Sequence, residues 1–339
     1  MNDRKYFILG AILSSYLQSK EPLGSRTLKR LYNMDISAAT IRNEMSDLEV
    51  LGYLEKTHVS SGRIPSQKAY RWYVDQVQEK GWIREEILQL PDKSLLSRTD
   101  DPQSVLDSAL NLLSDITGTA AFTYTPGRGS DRLSMIRFLP LSDREILILM
   151  VFHSKFVQTD RVHLKGTYAM DRLFRAEEIF QNLLEGKSLD EIASFLQTGP
   201  FSGTYVAGNL LSELVPVVRD RVMAHKKPNL VFNGLFKLLA LDDYAPDKAM
   251  AFIRKLQDDP DLLDFLSGLN DQDGIQVYIG QENPVDWLKE ASLIMVPYRV
   301  RGDITGRLGV VGPIDMDYRR VMSDVYRMGR YINAITGRQ

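Results

Sequence analysis

Residues 37–65 read SAATIRNEMSDLEVLGYLEKTHVSSGRIP, and this stretch constrains the fold more than any other. Ser37 is a strong N-cap, because its hydroxyl can accept from the free N–H groups of a first helical turn. Ile41, Met45, Leu48 and Leu51 recur at steps of four, three and three, a single apolar stripe that must pack against a partner. Thr40, Arg42, Asn43, Ser46 and Asp47 occupy the opposite side. Their polar groups gather toward the N-terminal half, the end a helix-turn-helix unit presents to base edges. Gly52 stops the helix. Strand character over residues 53–58, a turn over 59–62 and a return through Arg63-Ile64-Pro65 predict a hairpin directly behind it, a wing. Its tip offers His58, Ser60, Ser61 and Arg63, small donors and a cation suited to phosphate or minor-groove contact.

The flanking residues fit the same unit. Residues 3–19 predict a first helix with Phe7, Ile8, Ala11, Ile12 and Leu17 as its apolar face. The turn at residues 21–25 leads to Ser25, which can cap a second helix over 26–32. Helix, short helix, turn and helix is the order of a helix-turn-helix unit. Behind the hairpin, Ser66 caps a helix to about residue 80, with Tyr70, Tyr73, Val74 and Val77 as core. Charge supports the pattern: through residue 72 there are eleven Lys/Arg against seven Asp/Glu, a basic head on a chain whose net charge is −2. Such a head suits phosphate contacts that supply non-specific affinity.

The remainder predicts an α+β body. A polar, turn-rich linker covers residues 81–102. A helix over 105–116 and strands over 120–124, 133–139, 145–152 and 156–163 follow. Near Met170 the pattern turns helical, over 171–184, 189–196 and 205–225, where Pro216 is expected to kink or divide the last helix. Further helices are expected around 234–241, 246–257 and 262–266. Strands resume over 275–279, 292–299 and 307–311, and a closing helix carries Tyr318, Val321, Met322, Val325, Met328 and Ile332 on one stripe. Strands, helices and strands again suggest one α+β domain, 103–165 with 272–339, interrupted by a mainly helical insertion over 166–271.

Composition excludes much chemistry. With no cysteine, disulfides, thiol catalysis and Cys-ligated metals are ruled out, which fits a reducing cytoplasm. No apolar run approaches the roughly 20 residues of a membrane span, and the opening MNDRKYFIL lacks a signal-peptide pattern. His58, His153, His163 and His225 are scattered, without metal-ligand spacing. Gly306, Gly309 and Gly312 punctuate a strand rather than form a dinucleotide fingerprint. Gly127 and Gly129 lack the P-loop Lys-Ser/Thr and read as a hairpin tip. No catalytic residue, metal site or cofactor is expected. On pattern alone the head suits a DNA reader, with or without an effector-binding body, or a protein-interaction adaptor.

The residues also carry a resemblance. The run ISAATIRNEMSDLEVLGYLEKTHVSSGRIPSQKAYRWYVD, preceded by PLGSRTL, resembles the HrcA family of heat-inducible transcription repressors. The run IGQENPVDWLKEASLIMVPYRVRGDITGRLGVVGPIDMDYRRV resembles that family's closing block. The resemblance implies an N-terminal winged helix-turn-helix over 1–80, a GAF-like α+β domain, and a dimerising domain inserted into it. It further implies repression of chaperone operons as a homodimer on an inverted-repeat operator (CIRCE), with competence maintained by the GroEL chaperonin. An alternative is a small-molecule-sensing winged-helix regulator whose GAF-like domain binds an effector. Thr40, Arg42, Asn43 and Ser46 are the expected base or adjacent-phosphate contacts. Ser25, Arg26, Thr27, Ser37, His58, Ser60, Ser61 and Arg63 are expected on the backbone or in the wing. Ala69, Val59, Ile314, Asp315 and Lys237 depart from the family pattern.

Overall fold

A computed structural model describes residues 3–56, 62–81, 102–154, 157–198, 208–240, 246–269, 274–300 and 304–336. The head comprises α1 (Asp3–Ser19), α2 (Ser25–Tyr32), α3 (Ala38–Val50), a hairpin of β1 (Leu54–Lys56) and β2 (Arg63–Pro65), and α4 (Gln67–Glu79). Next come α5 (Pro102–Thr117), β3 (Ala120–Thr125), β4 (Leu133–Ser142), β5 (Glu145–Phe152) and β6 (Val157–His163). They are followed by α6 (Met170–Leu184), α7 (Leu189–Thr198), α8 (Gly208–Lys226) and β7 (Asn229–Asn233). The last part holds α9 (Pro246–Asp258), α10 (Pro260–Gly268), β8 (Gln276–Ile279), β9 (Ala291–Val300), β10 (Ile304–Pro313) and α11 (Tyr318–Thr336). The chain is a mixed α+β protein.

Two compact units form. The first takes Met1–Thr123, Leu230–Val300 and Gly306–Gln339; the second takes Tyr124–Asn229 with Arg301–Thr305. The second unit begins ahead of residue 166, where the insertion was expected to start, and combines β4–β6 with helices α6–α8. Strands β4, β5 and β6 pair with one another in a sheet of their own, while β3 joins β7, β10, β9 and β8 in a five-stranded sheet. Strand β7 was not expected from the sequence, and α9 and α10 fall in the first unit. A strand's partner is a long-range property that local pattern does not encode.

In the first unit one apolar cluster runs without a break from Ile8, Ile12, Ile41 and Leu48 of the head to Leu110, Ile294, Val310, Met322 and Ile332. The head thus shares its core with the five-stranded sheet. The whole stripe of α11 is buried. Three glycines of β10 leave space for their neighbours: a Cβ on Gly306 would meet the Tyr298 ring, and one on Gly309 would meet Phe122 and the Ile294 carbonyl. The glycine-rich run is a packing device, as the strand pattern indicated.

In the second unit β5 alternates, with Ile146, Ile148, Met150 and Phe152 buried. These side chains pack with Phe180 of α6 and with Leu210, Leu214 and Val218 of α8. Helix α8 continues through Pro216. Burial of Leu214 and Val218 on either side of the proline outweighs its lost backbone hydrogen bond, a penalty of about 3 kcal/mol. The His225 ring stacks on Phe152 at 5.5 Å, and burial, helped by Arg128, lowers its pKa to about 4. A histidine held neutral in the fold but free to protonate near pH 6.5 when unfolded makes stability fall as pH drops from about 6.5 to about 4. Replacing it with Phe keeps the ring and removes the proton uptake. The loss between pH 7 and pH 5 is expected to shrink by on the order of 1 kcal/mol, discounted for partial exposure. Urea unfolding at the two pH values measures the difference, and identical losses in both proteins would refute it.

Candidate nucleic-acid interface

Ser37 caps α3 as its sequence position predicts: its Oγ accepts from the Thr40 N–H at 3.0 Å and lies 2.8 Å from Thr40 Oγ1. Both hydroxyls are thus tied to the leading turn. Ile41, Met45 and Leu48 are buried, whereas Leu51 is 43% exposed. Leu51 is the C-cap, and left-handed Gly52 (φ 77°) turns the chain away directly after it. In α1, Phe7 points outward and Leu9 and Leu13 are buried in its place. Gly24, not Ser25, is the N-cap of α2; Leu23 is extended by its bridge to Arg63, and Ser25 is already the first helical residue.

Helix α3 carries three carboxylates, and each is matched by cations from elsewhere in the head. Glu44 is buried and pairs with Lys5 at 2.9 Å and Arg4 at 3.5 Å, while Asp47 takes Lys5 at 2.9 Å. Asp47 first, then Glu44, raises the pKa of the Lys5 ammonium. Glu49 binds Lys56 at 3.0 Å and Arg63 at 2.8 Å, and Lys56 first holds its carboxyl below the usual range. The Arg63 side chain is only 12% exposed, and its backbone exchanges hydrogen bonds with Leu23 at 2.9 and 3.0 Å. It fastens the hairpin to α3 and to the turn before α2. Lys20 pairs with Asp315, and Arg71 with Glu282.

On α2 and α3, Arg26, Lys29, Arg30 and Arg42 are exposed and outside any ion pair among the described residues. The first three share the side of α2 opposite buried Leu28. Arg42 and Asn43 are exposed near the start of α3. Ser46 Oγ donates to the Arg42 carbonyl at 3.1 Å. Ser25 and Thr27 are half-buried on α2. His58, Ser60 and Ser61 lie outside the described residues. The structure thus brings Arg26, Arg42 and Asn43 together on one two-helix unit and adds Lys29 and Arg30. The signal for those two was already present, since residues three and four after Arg26 share its face.

Two departures from the family pattern find partners. Lys237 pairs with Asp115 at 2.9 Å, and Asp315 pairs with Lys20. Ala69 is fully buried in α4, and Val59 lies outside the described residues. Among the described residues no His/Asp/Glu group could hold a metal ion, and no helix is long and apolar enough to cross a membrane.

Comparison with known proteins bears on this geometry. A crystal structure of a hypothetical protein at 20% identity superposes with a TM-score of 0.73, covering 99% of this chain and 98% of that one, which establishes the fold. The heat-inducible transcription repressor HrcA of Thermoanaerobacter pseudethanolicus is 32% identical over 98% of this chain and 96% of its own length. Its counterpart in Caldanaerobacter subterraneus subsp. tengcongensis is 30% identical over 98% of this chain and 96% of its own. The family pattern described as the HrcA protein C-terminal domain matches residues 103–322. These relatives are regulators and not enzymes. The chain belongs to the HrcA family of heat-inducible transcription repressors.

Proposed function

We propose that this chain represses heat-shock chaperone operons by binding an inverted-repeat, CIRCE-type operator as a cytoplasmic homodimer. Helices α2 and α3 form the helix-turn-helix and β1–β2 the wing. The observation that carries the reading is electrostatic. Every carboxylate of α3 is neutralised by a cation from outside that helix, while Arg42 and Asn43 stand exposed with no side-chain partner among the described residues. Arg can pair with guanine and Asn with adenine in bidentate fashion. Thr40, Ser46 and the capped turn at Ser37 flank them. Arg26, Lys29 and Arg30, with Ser25 and Thr27, take the phosphate backbone, as the first helix of such a unit does. His58, Ser60 and Ser61 serve the wing tip, and Arg63 acts by anchoring that wing.

The five-stranded sheet with α5 and α11 is the GAF-like part, and the second unit dimerises. Its sheet buries one face on α6 and α8, and the other face carries a set of apolar side chains beside Arg137, Thr159 and Arg161. There Met135, Val151 and Val157 align in one row, and Leu139 and Leu147 in another that ends on Arg161. Leu139 and Val157 are 44% and 50% exposed. A patch of this kind on a self-associating protein suits an isologous two-fold contact. The GroEL chaperonin restores repressor competence, a role that rests on family membership. Titrating a CIRCE-type duplex and a scrambled duplex at two salt concentrations tests the whole reading. Steep salt dependence on both, with clear preference for the inverted repeat, is expected. Equal affinity for the two duplexes would defeat it.

A further inference from the structure

Helix α4 seals the free edge of the five-stranded sheet. Strand β8 ends that sheet, and the carbonyls of residues 275, 277 and 279 each receive a side chain from α4. Gln67 Nε2 donates to the Ile279 carbonyl at 2.6 Å, an Arg71 terminal nitrogen to that of Val277 at 2.7 Å, and Gln78 Nε2 to that of Ile275 at 3.2 Å. Gln67 also accepts from the Gln281 N–H at 3.0 Å, and Glu282 bridges Arg71 to the Ile279 N–H. Gly280 makes room for this contact. Its φ is 51°, and a Cβ there would sit 2.4 Å from Gln67 Oε1. A second tie, Lys20 to Asp315, joins the end of α1 to the turn before α11.

We infer that Gln67, Arg71 and Gln78, with Lys20, are positioning residues that set the register of the DNA-reading head on its sheet, and through it the spacing of the two recognition helices in the dimer. The inference rests on the operator reading above. The spacing match supports it: four residues of helix rise about 6 Å, and two residues of strand about 6.8 Å, so Gln67 and Arg71 fall on alternate carbonyls. The apolar contacts beneath, such as Tyr70 against Tyr318 at 5.8 Å, are non-directional and would tolerate a slip along the strand. The hydrogen bonds forbid it, because a slip of two residues would carry the head about 6.8 Å. An inverted repeat read by two helices at once is sensitive to such a shift; a single half-site is not.

The test compares the full-length protein with a Gln67→Met, Arg71→Met double variant that keeps the aliphatic stems. Anisotropy titrations use an intact inverted repeat, an isolated half-site, and repeats with one to five base pairs added to the spacer. The full-site affinity is expected to fall about tenfold and the spacer preference to flatten, with the half-site affinity unchanged, because only the linked second contact loses its geometry. Thermal unfolding monitors the fold. If the double variant unfolds, Lys20→Met, which breaks the exposed tie without touching β8, takes its place with the same expected pattern. Full-site and half-site affinities changing by one factor, or neither changing, overturns the inference while leaving the operator reading intact. A wild-type protein indifferent to the inverted repeat overturns both.

Discussion

A Leu139→Asp, Val157→Asp double variant is expected to be monomeric and to bind an inverted repeat at least about 10²-fold more weakly, because one recognition helix then binds without its tethered twin. The two side chains lie on the outer face of the second unit's sheet, on β4 and β6, across the central strand β5. Register places Leu139 opposite Leu147 and Val157 opposite Val151, so both point away from the core that holds Phe138, Ile148 and Phe180. The monomer should therefore fold. In an isologous contact each substitution appears twice, so four like charges meet in a desolvated patch, and such juxtaposition costs several kcal/mol. Sedimentation velocity reads the oligomer, and circular dichroism checks the fold. A dimer that survives the two aspartates would show that another surface carries the association.

The second large effect is at Arg42. Substitution to alanine is expected to cost about 1–3 kcal/mol of operator affinity, the usual worth of one bidentate base contact, and to relax preference at one base pair of each half-site. The melting temperature should stay within a degree, since Arg42 is exposed and outside any ion pair among the described residues. Lys29→Ala and Arg30→Ala give the contrast. Each removes a phosphate contact, so affinity falls alike on specific and scrambled duplexes, and the salt slope drops by about one per subunit. An Arg42→Ala variant that behaved like Lys29→Ala would move Arg42 from base reading to backbone positioning.

These expectations draw on two kinds of information. The cap at Ser37, the start of α4 at Ser66 and the buried stripe of α11 were legible in the sequence, because each depends on neighbours within a turn or two. So was the leading polar end of α3. Less legible was which cations remain available. Eleven basic residues in the head look equivalent as a list, yet Lys5, Lys56, Arg63 and Arg71 spend their charge on Glu44, Glu49 and Glu282. All four close ion pairs across separate elements, and no spacing rule within one helix predicts them.

The domain division shows the same limit on a larger scale. Strands β3 and β4 are consecutive in sequence, yet they enter different sheets, a pairing that local pattern does not encode. Most elements, the caps at Ser37 and Ser66 and the stripe of α11 belong to the sequence, since capping and periodic burial act over a few residues. The cap of α2 and strand β7 depended instead on distant partners. Tertiary structure alone decided the partners: which strand edge α4 would seal, which carboxylate each cation would neutralise, and therefore which cations of α2 and α3 stay outside ion pairs among the described residues. Pairing is a competition among distant groups, and only the folded chain resolves it.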